Sequence, residues 1–171
     1  MVPCVEAFVQ VHPDFSNNGA RGILGLTGYN GILGYRTDDA LATSTDNRYA
    51  ATYGLFDTAA EKEAAAPVVE ALKNAGWEFA CNGYDGSGYG SDAEAVSADL
   101  AKWNESVGTL VGDVPILLYP IPARTAMDGK AYDETDPMYQ VLKEQGFVYF
   151  GSMDISGTKI ADHRPVSAVQ L

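Results

Sequence analysis

The chain predicts an α/β fold assembled from successive parallel βα units. Short apolar runs and amphipathic runs alternate four times at the spacing of such units. Each apolar run leads into a loop rich in Gly, Asn, Asp or Tyr. Hydrophobic residues make up 46% and charged residues 20% of the 171 positions, which leaves enough apolar surface to offset the entropy of ordering the chain. This length suits a single domain spanning 1–171. In parallel sheets of this kind, ligand sites collect on the loops beyond the carboxyl ends of the strands.

The elements follow in order. Val2, Val5, Phe8 and Val9 recur near helical spacing, so Val2 to Val11 is read as an amphipathic helix. His12 to Gly19 has turn chemistry throughout. Ile23 to Thr27 is a short apolar run with flanking glycines, the pattern of a strand buried on both faces. Gly28 to Asp57 shows no sustained period and is longer than an ordinary connection.

Thr58 to Ala75 is the clearest helix, capped by Thr58 or Asp57, with Glu61 and Glu63 at the positive end of its dipole and Gly76 to end it. Pro67 inside that run is expected to kink or split the helix. Trp77 to Cys81 is the second strand, and Asn82 to Gly90 its exit loop. A helix capped by Ser91 or Asp92 runs to Val107, with Ala95, Val96, Leu100 and Trp103 near one face. Val114 to Pro120 forms the third strand, followed by a loop from Ile121 to Asp136. Asp136-Pro137 opens a helix from Met138 to Gln145, Gly146 closes it, and Phe147 to Phe150 is the fourth strand. Ser152 to Leu171 reads as irregular, with weak strand signals, and no internal repeat is visible.

The charge balance excludes several functions. With 11 Lys+Arg against 23 Asp+Glu, the formal charge is -12, which disfavours nucleic acid and anionic membrane as partners. No apolar run approaches the ~20 residues needed to span a bilayer, so no membrane insertion is expected. Cys4 and Cys81 could pair or stay free, and without nearby histidines they are too few for a structural zinc site. Small, partly buried thiols are the favoured reading.

The loops expected to share one end of the sheet carry Tyr29, Asn30, Tyr35 and Arg36 after the first strand, and Asn82, Tyr84 and Asp85 after the second. Tyr119 and Arg124 follow the third, and Asp154 the fourth. The set is polar and aromatic but lacks imidazole, so metal catalysis is short of ligands. Gly83 to Gly90 has no Gly-Lys-Ser/Thr, and Asp85 and Asp92 would repel phosphate. Gly28, Gly31 and Gly34 fail dinucleotide spacing, so both glycine sets are read as tight turns. Neither His12 nor His163 is placed to activate Ser44, Thr45 or Ser87. His12 is read as a turn residue, and His163, between Asp162 and Arg164, as a surface one. Ten tyrosines, several in glycine-bearing loops, suit either stacking on sugar rings or filling gaps between loop and core.

The run His12-Pro13-Asp14-Phe15, then Gly19 to Thr37 (GARGILGLTGYNGILGYRT), resembles a bacterial branch of the polysaccharide deacetylases, proteins similar to carbohydrate esterase family 4. Ala71 to Ala80 (ALKNAGWEFA) is similar to the helix and strand before that family's metal motif. The spacing to Trp103, Tyr119-Pro120 and Gly146-Phe147 fits as well, so the likeness covers nearly the whole chain. The resemblance implies a distorted (β/α) barrel in which an aspartate and two histidines hold a divalent metal such as zinc, while a second aspartate acts as base. It also implies that the family's first strand, with its aspartate pair, is missing, which makes this an incomplete barrel.

The family's histidine motif aligns with Cys81 to Gly86, where Asn82 and Gly86 stand in the imidazole positions and Tyr84 matches the aromatic between them. Pro120 alone survives from the later arginine-proline motif, and the last histidine motif has no counterpart. The expectation is a deacetylase-like, carbohydrate-related domain without catalytic residues, metal or other cofactor. Sugar binding would fall to Tyr29, Tyr35, Tyr84, Tyr119, Asn82 and Asp85. One alternative is an active metal-dependent deacetylase completed by another segment, with Asp85 and Asp154 as substitute ligands. A second is a structural domain that self-associates through an open barrel edge. The resemblance implies an extracellular or cell-envelope setting, although no export signal is read in this chain.

Overall fold

A computed structural model describes residues 1–89, 92–120 and 134–151. Helix α1 spans Val2–Val11 and leads through two short 3-10 turns, Pro13–Phe15 and Asn17–Gly19, into strand β1, Ile23–Leu26. Helix α1 is held by Glu6, whose carboxylate accepts from Arg21 Nε at 3.0 Å and from Trp77 Nε1 at 2.7 Å. The Trp77 indole bond, opposed in part by burial, holds the Glu6 carboxyl below its ordinary value, with Arg21 adding to the effect.

The long connection after β1 contains two short helices, α2 (Ala40–Thr43) and α3 (Arg48–Tyr53). Their few turns are too short to set up a legible period. Helix α4, Thr58–Asn74, is capped by Asp57, whose side chain accepts from Ala60 N at 3.1 Å. Pro67 does not split it. The proline lies on the exposed side, while Ala65, Val69 and Leu72 bury the opposite stripe on both sides of it, so packing holds the helix through the missing donor.

Strand β2 (Glu78–Cys81) precedes α5 (Ala93–Trp103), which is capped by Asp92. A π turn at Asn104–Gly108 and a last short helix, α6 (Thr109–Val111), carry the helical path beyond the expected Val107. Strand β3 (Ile116–Leu118), helix α7 (Pro137–Glu144, capped by Asp136) and strand β4 (Tyr149–Gly151) complete the described chain. The tail from 152, with Asp154 and His163, and the segment holding Arg124 lie outside the described residues.

The four strands form one parallel sheet in the order β1-β2-β3-β4. The fold is therefore mixed α/β around a small parallel sheet. Leu24 pairs with Phe79, Leu26 with Cys81, Cys81 with Leu117 and Leu117 with Phe150, so these side chains share a face. That face meets Val69 and Leu72 of α4, Val96, Leu100 and Trp103 of α5, and Leu142 of α7 in one apolar core. Trp103 closes it with a buried Nε1 bond to the Leu26 carbonyl at 2.8 Å.

The opposite face carries Ile23, Gly25, Ala80, Ile116, Leu118 and Gly151. Glycine on the adjacent strand β4 and on β1, beyond β2, makes room for Leu118: an added Cβ would lie 2.8 Å from Leu118 Cδ1 at Gly25 and 2.5 Å from Cδ2 at Gly151. The expectation that β1 is buried on both faces fails, since Ile23 and Gly25 are exposed. The physical reason is position: β1 is an end strand of the described sheet and has one strand neighbour there. Both cysteines are free, Cys4 exposed and Cys81 buried, so the disulfide alternative falls.

Candidate functional site

The parallel sheet delivers the exits of β1 and β2 to one end, where backbone bonds stitch the two loops together. Gly28 N donates to Gly83 O at 3.3 Å, and Tyr29 N to Tyr84 O at 2.9 Å. The Tyr84 ring lies against Gly28, where a Cβ would come within 2.6 Å of its Cδ2. Tyr29 and Tyr84 meet edge to face with ring centroids 6.4 Å apart, a favoured aromatic geometry. Tyr29 remains 50% exposed.

Two buried aspartates shape these loops. Asp38, 3% exposed, accepts through Oδ2 from Asn30 N at 3.0 Å and Tyr84 Oη at 2.9 Å, and through Oδ1 from Ala40 N at 3.1 Å. Burial, and then this bond to Asp38, raise the Tyr84 phenol well above its ordinary value, so it stays a donor. Asp99, 4% exposed, reaches up from α5 and takes three backbone amides: Tyr84 N at 2.8 Å, Asp85 N at 2.9 Å and Gly86 N at 3.2 Å.

A third group completes the long loop. Asn47 caps α3 by accepting from Tyr49 N at 2.8 Å, while its Nδ2 donates to Tyr29 Oη at 3.3 Å and also to Asn30 Oδ1. Asn30 sits in the left-handed region at φ 67°, which asparagine tolerates better than most residues. Gly31 beside it, at φ 102°, is obligatory, because a Cβ would lie 2.1 Å from Tyr35 O and 2.5 Å from Thr37 N. Arg36 is fixed by its own amide, which donates to Glu61 Oε2 at 2.7 Å, and its Nη1 reaches Asn30 O at 3.5 Å.

The residues singled out from the sequence divide accordingly. Tyr29 and Tyr84 come together, and Tyr29 presents a ring to solvent. Asn82 is half-buried and donates from Nδ2 to Leu118 O at 3.0 Å, a bond across neighbouring strand ends. Asp85 is exposed, and its carboxylate accepts from Ser87 N at 2.9 Å and from the Ser87 hydroxyl. The hydroxyl bond, against partial burial, holds the Asp85 carboxyl below its ordinary value. Tyr35 is half-buried. Tyr119 is only 2% exposed and packs edge to face on Tyr89 at 6.3 Å, so its ring has no free face for a sugar. His12 is exposed, with its ring 4.5 Å from that of Phe8.

Sequence reasoning did not single out Asp38, Asn47, Tyr49 or Asp99 as site builders. Asp99 had a signal: it falls on the helical stripe of Val96, Leu100 and Trp103, where an acid is buried among apolar neighbours and must be bonded. Among the described residues, no three His, Cys, Asp or Glu side chains gather to hold a metal. A cleft of about 660 Å³, bordered by Asn104, Thr109, Asp113, Val114 and Gln145, lies by the amino ends of β3 and β4, away from the tyrosine pair. No helix among the described residues is long and apolar enough to cross a membrane. No family model, curated protein or solved structure matches the chain.

Proposed function

We propose that the chain is a deacetylase-like carbohydrate-binding domain that has lost its metal chemistry. The observation that carries this reading is the Tyr29–Tyr84 pair at the carboxyl ends of β1 and β2, with one ring open and both fixed from behind. Aromatic faces bordered by loop amides and hydroxyls bind sugar rings without a metal. The sheet order supports a barrel relationship. Consecutive parallel strands joined by right-handed crossovers place all helices on one face, and helices α4, α5 and α7 pack against one face here.

The residues do not fit the divalent metal that the resemblance implies. Asn82 stands in the first imidazole position with its amide committed to Leu118 O. Gly86, in the second, offers no side chain, and a Cβ there would meet the Pro120 ring at 3.2 Å. No hydrolytic step is derived.

Calorimetric and NMR titration with chitooligosaccharides and peptidoglycan fragments tests sugar binding. Heat with chemical-shift changes at Tyr29 and Tyr84 is expected, and silence in both measurements would overturn the reading. Elemental analysis and acetate release run beside it: stoichiometric metal with acetate would overturn the loss of chemistry.

A second reading rests on β1. Gly22 O and Leu26 O accept from Glu78 N and Asn82 N, so the even-numbered peptide groups face β2 and those of Ile23 and Gly25 face outward. An outward edge is a template for strand pairing. On this reading mass in solution exceeds that of a monomer, and a concentration-independent monomer counts against it.

A further inference from the structure

We infer that the sugar this site takes carries a carboxylate, read by Arg36 and Arg48; the inference rests on the carbohydrate reading above. Both guanidiniums lie over one ring, that of Tyr49, with Cζ 4.3 Å from its centroid for Arg36 and 5.6 Å for Arg48. Two like charges against one aromatic ring repel each other, and the ring quadrupole compensates only in part. Of the other described cations, Arg21, Lys62 and Lys73 each have a carboxylate within salt-bridge distance, whereas Lys102 and Lys143 stand over the rings of Tyr84 and Tyr139. Neither Arg36 nor Arg48 has such a carboxylate among the described residues. Glu61 binds the Arg36 backbone amide and not its guanidinium.

The pair is also built into the site. Tyr49 N is the donor to the Asn47 cap, and Asn47 Nδ2 bonds Tyr29 Oη, the hydroxyl of the open ring. Arg36 Nη1 touches the Asn30 carbonyl, one residue from Tyr29. On the other side of the pair, Lys102 Nζ stands 5.6 Å from the centre of the Tyr84 ring. A saccharide stacked on Tyr29 would therefore lie near Arg36 and Arg48 through the Asn30 and Asn47 contacts, with Lys102, whose charge also acts on the Asp85 carboxylate, beside the Tyr84 ring. A guanidinium fork matches a planar carboxylate through two parallel N–H donors. The net negative charge of the protein does not forbid this, since exposed charges beyond a Debye length of about 8 Å at physiological salt are largely screened.

The test is calorimetric titration of the whole chain with tri-galacturonic acid and with chitotriose, at low and at physiological salt. The acidic trisaccharide is expected to bind about tenfold tighter than the neutral one at physiological salt, where the distant acidic residues are screened, and by no larger a margin at low salt, where their repulsion reaches further. The double variant Arg36→Gln/Arg48→Gln should bring the two sugars level, and Arg36→Lys with Arg48 intact should keep part of the preference. Circular dichroism checks that the variants are folded, and Arg48→Gln alone, at an exposed position, gives a smaller loss of the same sign. Equal binding of both sugars by the unaltered chain, or an acid preference that survives the double variant, overturns the carboxylate assignment and leaves carbohydrate binding standing. Binding of neither sugar overturns both.

Discussion

The loops leaving β1 and β2 are each organised by one buried aspartate, yet the two aspartates work differently. Asp99 comes from a helix outside its loop and spends both oxygens on backbone amides, so the path of 84–86 is set by a rigid element. Asp38 lies inside its own loop and divides its bonds between two amides and the Tyr84 hydroxyl. The first arrangement fixes backbone; the second couples one loop to the other through a rotatable group. A short loop clamped from a helix suits a floor. A long loop held by side chains, as Asn47, Arg36 and Glu61 hold theirs, suits a wall that adapts to what it touches.

The largest expected effect separates the two clamps. In Asp99→Asn the new amide group faces a backbone N–H whichever way it turns, leaving buried donors opposed, and the loss should be about 3 kcal/mol of stability. In Asp38→Asn the new amide likewise opposes one backbone N–H, that of Asn30 or Ala40, but the Tyr84 hydroxyl can rotate to accept from it, so a smaller loss of about 1–2 kcal/mol is expected. Urea titrations of the two variants measure both. Equal losses would mean that the two loops are held alike.

Next comes Tyr84→Phe, which removes the hydroxyl and leaves the ring against Gly28 and Tyr29. The cost should be about 1 kcal/mol. Because Asp38 and Tyr84 share one bond, the double variant with Asp38→Asn should fall short of the sum of the singles, and strict additivity would uncouple the loops.

The frame of this molecule was legible and its clamps were not. Helices α4 and α5 were readable because an apolar stripe recurs with an aspartate cap at one end and, for α4, Gly76 beyond the other. The strands are three or four residues long, so their existence was readable, but the first three were overdrawn by one to four residues and the fourth was placed too early, without Gly151. Strand parity could have buried Tyr119: it lies two residues after Leu117, on the face that packs against helices. The loop position suggested exposure, and parity prevailed. Asp38 was hidden for another reason. Its partners are Asn30, Ala40 and Tyr84, and only the folded sheet brings the last of these to it.

The smallest effect probes what lies beneath the short loop. Cys81 ends β2 on the core face, and its Sγ accepts from Gly83 N at 3.3 Å. Burial pushes its thiol from an ordinary value near 9 up to about 12, with the Gly83 bond opposing the shift and the charge of Asp99 adding to it. The folded chain therefore keeps this proton where the unfolded chain releases it, and stability must fall as pH rises above about 9, with a limiting slope of about 1.4 kcal/mol per unit. Burial raises Tyr84 and Tyr89 from ordinary values near 10, so between about pH 8 and 9.5 the thiol is the main source of the slope, worth under about 1 kcal/mol there. Cys81→Ala should flatten that segment of a urea-derived stability profile. Labelling adds a kinetic side. Cys4 is exposed and should react at once, whereas Cys81 should wait for the loop above it to open. Asp99→Asn should speed that second reaction more than Asp38→Asn, because Asp99 holds the amides of residues 84–86, next in the chain to the Gly83 amide that bonds the thiol. If both variants speed it equally, the short loop is no more rigid than the long one.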